Sequence, residues 1–134
     1  MAEIEEALTT YLKAYVGLTA LISTRLYPDE LPQGATLPAV IYIKISDVKN
    51  HTLTEQDDLE RPYIQFTAFA LTKAAARGVA NQLKAALVDY MGTLSGVEIQ
   101  KIELQNEMSN LEKSGDGLIR VYTEDLEFQV NFNK

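Results

Sequence analysis

A chain of 134 residues, 46% of them apolar, has the length and composition for one packed domain. Nineteen acidic against twelve basic residues, a net charge of −7, exclude a protein that grips nucleic-acid backbone through clustered Lys and Arg. The absence of cysteine rules out disulfides and thiolate chemistry, and no apolar run approaches the ~20 residues that span a bilayer.

The start, MAEIEEALTT, is acidic and amphipathic and lacks the basic head and apolar block of an export signal. Ile4, Ala7, Leu8, Tyr11, Leu12 and Tyr15 recur at spacings of three and four, which predicts a first helix with one apolar face. Glu3, Glu5 and Glu6 sit in its first turn, where the helix dipole favours negative charge. Gly17 is expected to end it, and Leu18, Leu21 and Ile22 to add one short turn. Three prolines, Pro28, Pro32 and Pro38, then bar any ordinary helix between Leu26 and Pro38 and predict an extended, flexible surface arm.

Ala39–Ser46 reads as a strand with Ile41, Ile43 and Ile45 on one face and Tyr42 and Lys44 on the other. Asp47–Glu60 is polar and acidic and is expected to be a projecting loop. Pro62–Ala70 reads as a second strand, with Pro62 at its first position. Thr72 is placed to cap the next helix, which is predicted to run to about Met91. Its expected buried stripe is Ala75, Val79, Leu83, Ala86, Leu87 and Tyr90. Gly78 inside it costs roughly 1 kcal/mol relative to alanine, and close approach to the sheet would explain it. Gly92 is a natural stop.

Val97–Leu104 reads as a third strand whose apolar positions slip from odd (Val97, Ile99) to even (Ile102, Leu104), the mark of a bulge or sharp twist. Asn106–Gly117 is expected to be a second polar loop. Leu118–Phe132 reads as a long last strand or a broken pair. The order α-β-β-α-β-β predicts an α+β fold: a single, mostly antiparallel four-stranded sheet with two helices packed on one face. The whole of 1–134 is expected to be one domain.

No group of residues makes a catalytic set. His51 is the single histidine and has no cysteine to join it; the nearby Glu55, Asp57, Asp58 and Glu60 lack the alternating ligands and central glycine of a calcium loop. They read as a solvated loop, with contact to a basic partner or an anionic pore wall as the functional alternative. Gly115 and Gly117 form a lone GxG in a turn, followed by neither a lysine–serine pair nor a helix start. Glu124 and Asp125 are adjacent in a strand and face opposite ways, so they cannot share one bond as acid and base. Lys73, Arg77 and Lys84 share one helix side, which reads first as the wet face. Tyr27, Tyr42 and Tyr63 near the arm have the amphipathic rings that suit interfaces. Accordingly no catalytic residue, metal ligand or cofactor is assigned.

Five blocks carry a resemblance: EEALTTYLKAYVGLTALIS, RLYPDELPQGATLPAVIY, HTLTEQDDLERPYIQFTAFA, GTLSGVEIQKIEL and VYTEDLEFQVNF. In this order they resemble the phage tail-completion, or tail-terminator-like, family of long-tailed non-contractile phages and prophages. The block with LP, a short polar link and LPAVIY is the most specific. The resemblance implies a small structural α+β protomer that caps the tail tube as a ring, typically of six subunits, or stands as a monomer before assembly. It implies the tail-tube protein on one side, head-completion proteins of the neck on the other, and DNA that passes through the lumen without specific binding. The site would be the virion tail at the neck, after assembly in the host cytoplasm, with no membrane involved.

A heterologous ring needs two different patches on each protomer. The proline arm, Leu26 to Pro38, and an exposed strand edge are the candidate patches, and Tyr27, Leu31 and Leu37 in the arm, with Asp57 and Asp58 in the first polar loop, are the candidate interface residues. Two other functions are weighed against this one. A stand-alone α+β module that binds a protein or ligand would show a deep apolar pocket with converging polar groups. An enzyme working through surface carboxylates would lose activity when His51, Glu55, Asp57 and Asp58 are replaced.

Overall fold

The computed structural model describes residues 4–51, 56–113 and 120–133, with side-chain surroundings for 4–45, 62–113 and 120–132. The first amphipathic segment forms α1 (Ile4–Lys13), burying Ile4, Ala7, Leu8 and Leu12. Tyr15 is extended (ψ 109°) and opens a separate helix, α2 (Val16–Ile22), which buries Leu18 and Ile22. Gly17 therefore does not end α1; it lies inside α2, where a Cβ would collide with Gln82. The short apolar cluster that follows is a helix in its own right because Leu18 and Ile22 sit one turn apart on the same face.

Six strands form one sheet in the order β1-β2-β3-β6-β5-β4. They are β1 (Leu26–Pro28), β2 (Ala39–His51), β3 (Gln56–Ala70), β4 (Gly92–Leu94), β5 (Val97–Lys113) and β6 (Arg120–Asn133). All neighbours are antiparallel except β1 and β2, which run parallel. The predicted four strands are thus β2, β3, β5 and β6, and two three-residue strands extend the sheet at its edges. Three residues are too few to show a period of two, so neither edge strand is visible as a pattern.

Both predicted polar loops are corrected. Within the described residues, β2 runs on to His51 and β3 begins at Gln56, pairing as far as His51–Gln56. Likewise β5 continues to Lys113 and pairs with Arg120. What remains of the two loops, 52–55 and 114–119, lies outside the described residues. The segments read as loops because their polar residues show no apolar alternation, yet a strand needs only its backbone ladder to pair. Pro62 lies inside β3, not at its start. The ladder with β6 skips from Glu60–Phe132 to Tyr63–Gln129, as expected where proline supplies no donor. The predicted irregularity in β5 is present as register shifts at Ile99/Lys101 and Leu104/Asn106.

Thr72 caps α3 (Lys73–Leu87), its side chain accepting from the Ala75 amide at 3.1 Å. The helix stops at Leu87, short of Met91; Val88 is extended and the Asp89 amide donates to the Ile102 carbonyl of β5 (2.9 Å). Its buried stripe is Ala76, Val79, Ala80, Leu83, Ala86 and Leu87. Ala75 turns outward by one position, and Tyr90 packs on the core from beyond the helix. Gly78 is not a close-packing position: nothing lies within 4 Å of a Cβ placed there. Gly92 opens β4 and does not cap the helix.

One core unites α1, α2 and α3 with Val40, Ile64, Phe66, Ala68, Ile99, Ile102, Leu126, Phe128, Val130 and Phe132. All three helices therefore cover the same sheet face. Full burial of each large apolar side chain contributes about 1.5–3 kcal/mol. The isoleucine stripe of β2 lies on the other face: Val40 and Tyr42 pack toward the helices, Ile41 and Ile43 pair with Thr67 and Gln65, and Ile45 falls in a bulge and is 48% exposed. An apolar stripe alone does not say which face the helices choose.

Tyr11 ties the helix layer together. Its hydroxyl donates to the Ala86 carbonyl at the end of α3 (2.8 Å), and its ring lies 4.8 Å from that of Tyr90. Burial, then the neighbouring Tyr90 and Tyr15 hydroxyls, hold its pKa above the ordinary 10.0. The folded protein thus keeps this proton to higher pH than the unfolded chain does, so stability is intact below pH 10 and falls as pH rises through the folded value. Tyr11→Phe should cost about 1 kcal/mol at neutral pH and flatten the alkaline decline, as read from urea midpoints on either side of that range.

Candidate functional site

The arm between β1 and β2 is pinned at both ends. The Arg25 carbonyl accepts from the Val40 amide (3.0 Å), and its guanidinium Nε donates to the Pro38 carbonyl (2.9 Å). The Asp29 amide donates to the Tyr42 carbonyl (2.9 Å), and a turn closes from Ala35 to Pro32 (3.1 Å), with Gly34 at φ 77° where L side chains are strained. The Leu37–Pro38 peptide is cis. Tyr27 lies in β1 opposite Ile41; Tyr27, Leu31 and Leu37 are all half-buried. These three candidates therefore lie on one sheet edge and the loop beside it. Asp57 and Asp58 are on β3, not in a loop, and their side chains lie outside the described residues, as does that of His51. Glu55, Gly115 and Gly117 lie outside them altogether.

Beside the arm, Glu5 and Glu6 of α1 and Asp29 form an acidic wall with Pro28, Tyr42 and Lys44. Glu5 Oε1 is buried there without a hydrogen-bond partner. Burial first, then the charges of Glu5, Asp29 and Glu6, push the Tyr42 phenol above its usual value. The N-terminal acids of α1 thus serve the helix dipole and also colour this edge of the sheet.

Glu124 and Asp125 face opposite ways, as the strand period requires. Glu124 is buried on the helix side and accepts from the Ser109 hydroxyl (2.6 Å). Asp125, on the open side, accepts from Thr67 Oγ1 (2.7 Å) and from Asn110 Nδ2 (3.1 Å). The cationic stripe of α3 divides. Lys84 is paired with Glu107 of β5 (3.1 Å), a partly exposed bridge of small energetic weight, whereas Lys73 and Arg77 remain at the exposed end of the helix. Lys73 helps to wall a hollow of about 270 Å³ with Ser109, Leu111, Tyr122 and Glu124.

Among the described residues no three His, Asp or Glu side chains converge to hold a metal, and no helix is long and apolar enough to cross a membrane. What sequence reasoning missed is the length of β2, β3 and β5. The signal was available in the register-compatible polar stretches 47–51, 56–60 and 106–113, which contain no proline and no glycine.

The described residues form an α+β fold with an acidic wall, an arm and long outer strands. Residues 6–129 match the model of the family described as tail completion protein gp17. The chain belongs to that family, whose members are structural proteins of phage tails. No curated protein matches it. Among solved structures, a chain of the "Virion of native gene transfer agent (GTA) particle" is similar in fold, with a TM-score of 0.75 and 18% identity over 98% of this chain and 95% of that one.

Proposed function

We propose that this protein completes the tail by capping the tube as a ring and forming the tail side of the head–tail joint. The carrying observation is the family match over 6–129. A ring of six copies of 14.9 kDa would weigh about 89 kDa under closed cyclic symmetry. The tube protein would sit on one ring face and neck proteins on the other, at the neck of the virion, after assembly in the host cytoplasm. The net charge of −7 suits a lumen that DNA passes without adhering, because an anionic wall repels phosphates. The role needs no turnover: the surface works by fitting, not by making or breaking bonds. The arm residues Tyr27, Leu31 and Leu37 would supply one patch of the subunit contact, and Asp57 and Asp58 a contact on the outer hairpin.

Replacing Leu31 and Leu37 by serine should leave the urea midpoint of the monomer near wild type, because both are only half-buried. The same change should lower completion of tails made without this protein by about tenfold or more, scored as joined particles by electron microscopy, since interface anchors dominate binding energy. Tails that join heads normally without the protein would end this reading. Loss of the monomer fold in the serine variants would move the arm into the core.

A further inference from the structure

β5 outruns its neighbour. β4 covers only Val97–Ile99, and among the described residues no strand pairs with the outer side of β5 from Gln100 to Lys113. From Asn106 to Lys113 it runs against β6 without a bulge, and every residue there is exposed. Met108 (52% exposed) is opposite Asp125 on the open side, and Leu111 (44%) is opposite Tyr122 on the helix side. Monomeric proteins blunt such an edge with proline, shortness, charge or cover; among the described residues 106–113 holds no proline, is not short and has no strand over it, and its charges are Glu107, Glu112 and Lys113.

The other edge is also covered only in part, and its ladder with β3 shifts register at Lys44/Ser46 and Lys49/His51. β1 covers only Val40–Tyr42 of β2, which leaves Ile43–His51 without a strand on the outer side among the described residues. The successive antiparallel pairs β2–β3, β3–β6 and β6–β5 make β2 and β5 run in opposite directions. A second copy placed alongside in the same orientation thus meets β5 with its own β2 antiparallel, the stronger form of pairing.

We propose that β5 of one copy adds to the β2 edge of the next, with Glu107–Asn110 against Ser46–Lys49. This rests on the ring reading above and names the contact that builds the ring. By register Asp47 and Lys49 stand opposite Pro62 and Glu60, and Ser109 and Glu107 opposite Glu124 and Leu126. In the proposed register Lys49 meets Glu107 and Asp47 meets Ser109, while Val48 meets Met108 and Ser46 meets Asn110. A slip must be by two residues to keep the faces. One slip sets Asp47 against Glu107, two like charges; the other sets Asp47 against Leu111. Only the proposed register pairs opposite charge with opposite charge and apolar with apolar.

The chain has no cysteine, so engineered thiols report without background. Val48→Cys with Met108→Cys in one chain, oxidised at high concentration or on assembled tails, should give a ladder of covalent multimers ending at the ring. Mixing the two single variants should give dimers and nothing larger. In unmodified protein, amides of 43–49 and 106–113 should exchange about tenfold or more slower on assembly, because strand addition protects alternate amides. Dimers from Met108→Cys alone would show β5 pairing with itself and overturn the proposal. So would assembled rings with neither cross-link nor protection, which leaves the tail reading intact. Cross-linked rings that do not restore joining would sink the tail reading and keep the contact.

Discussion

Phe128→Ala is expected to lower the unfolding free energy by about 3–5 kcal/mol, a large share of the 5–15 kcal/mol typical of a domain. Phe128 is fully buried on β6, opposite Ile64 of β3 and Leu104 of β5. Its ring meets Phe66 edge-on at 5.9 Å and 73°, and Phe66 in turn lies 6.4 Å from Tyr42. Truncation removes the apolar contact and the ring pair, and leaves a void between two long ladders that cannot close without breaking their bonds. Urea unfolding with an unchanged slope would measure this directly. A loss below about 1 kcal/mol would mean that the site collapses freely and is not the centre of the core.

Asp125→Ala is the second large effect, expected at about 2–3 kcal/mol, since hydrogen bonds to a charged acceptor are worth more than neutral ones. Gln65 Nε2 donates to Thr67 Oγ1 (3.1 Å), Thr67 Oγ1 donates to Asp125 (2.7 Å), and Asn110 reaches the other carboxylate oxygen (3.1 Å). Thr67 is buried, so its hydroxyl would lose its charged acceptor. Asp125→Asn keeps an acceptor oxygen and should recover at least half of the loss. Equal losses in the two variants would show that charge, not acceptance, holds the three strands together on this face.

The helices and central strands were legible because their apolar residues repeat at 3.6 or 2. Ile4, Leu8 and Leu12 in α1, Thr72 as a cap and the parity slip after Ile99 all appear where the pattern put them. The outer hairpins read as loops because 47–51, 56–60 and 106–113 show no apolar alternation, although they hold no proline or glycine to end a strand and backbone bonds can be made by any residue. The face of the isoleucine stripe was hidden for a different reason. Val40 and Tyr42 alternate with Ile41 and Ile43, so both faces of β2 are apolar and only the helices decide which becomes core. Of the candidate contact residues, the structure gathers Tyr27, Leu31 and Leu37 at one edge, and moves Asp57 and Asp58 from a loop onto a strand.

The placement of β6 bears on how the molecule is made. Last among the strands in chain order, it lies between β3 and β5, in the middle of the sheet. The hairpins β2–β3 and β5–β6 each close over short spans and nucleate quickly, but the seam between them joins residues some sixty apart, such as Phe66 and Leu126. A chain emerging from the ribosome must therefore hold β3 with one side bare until Arg120–Asn133 has been synthesised. Premature termination before that point would yield a species prone to aggregate, not a smaller stable protein.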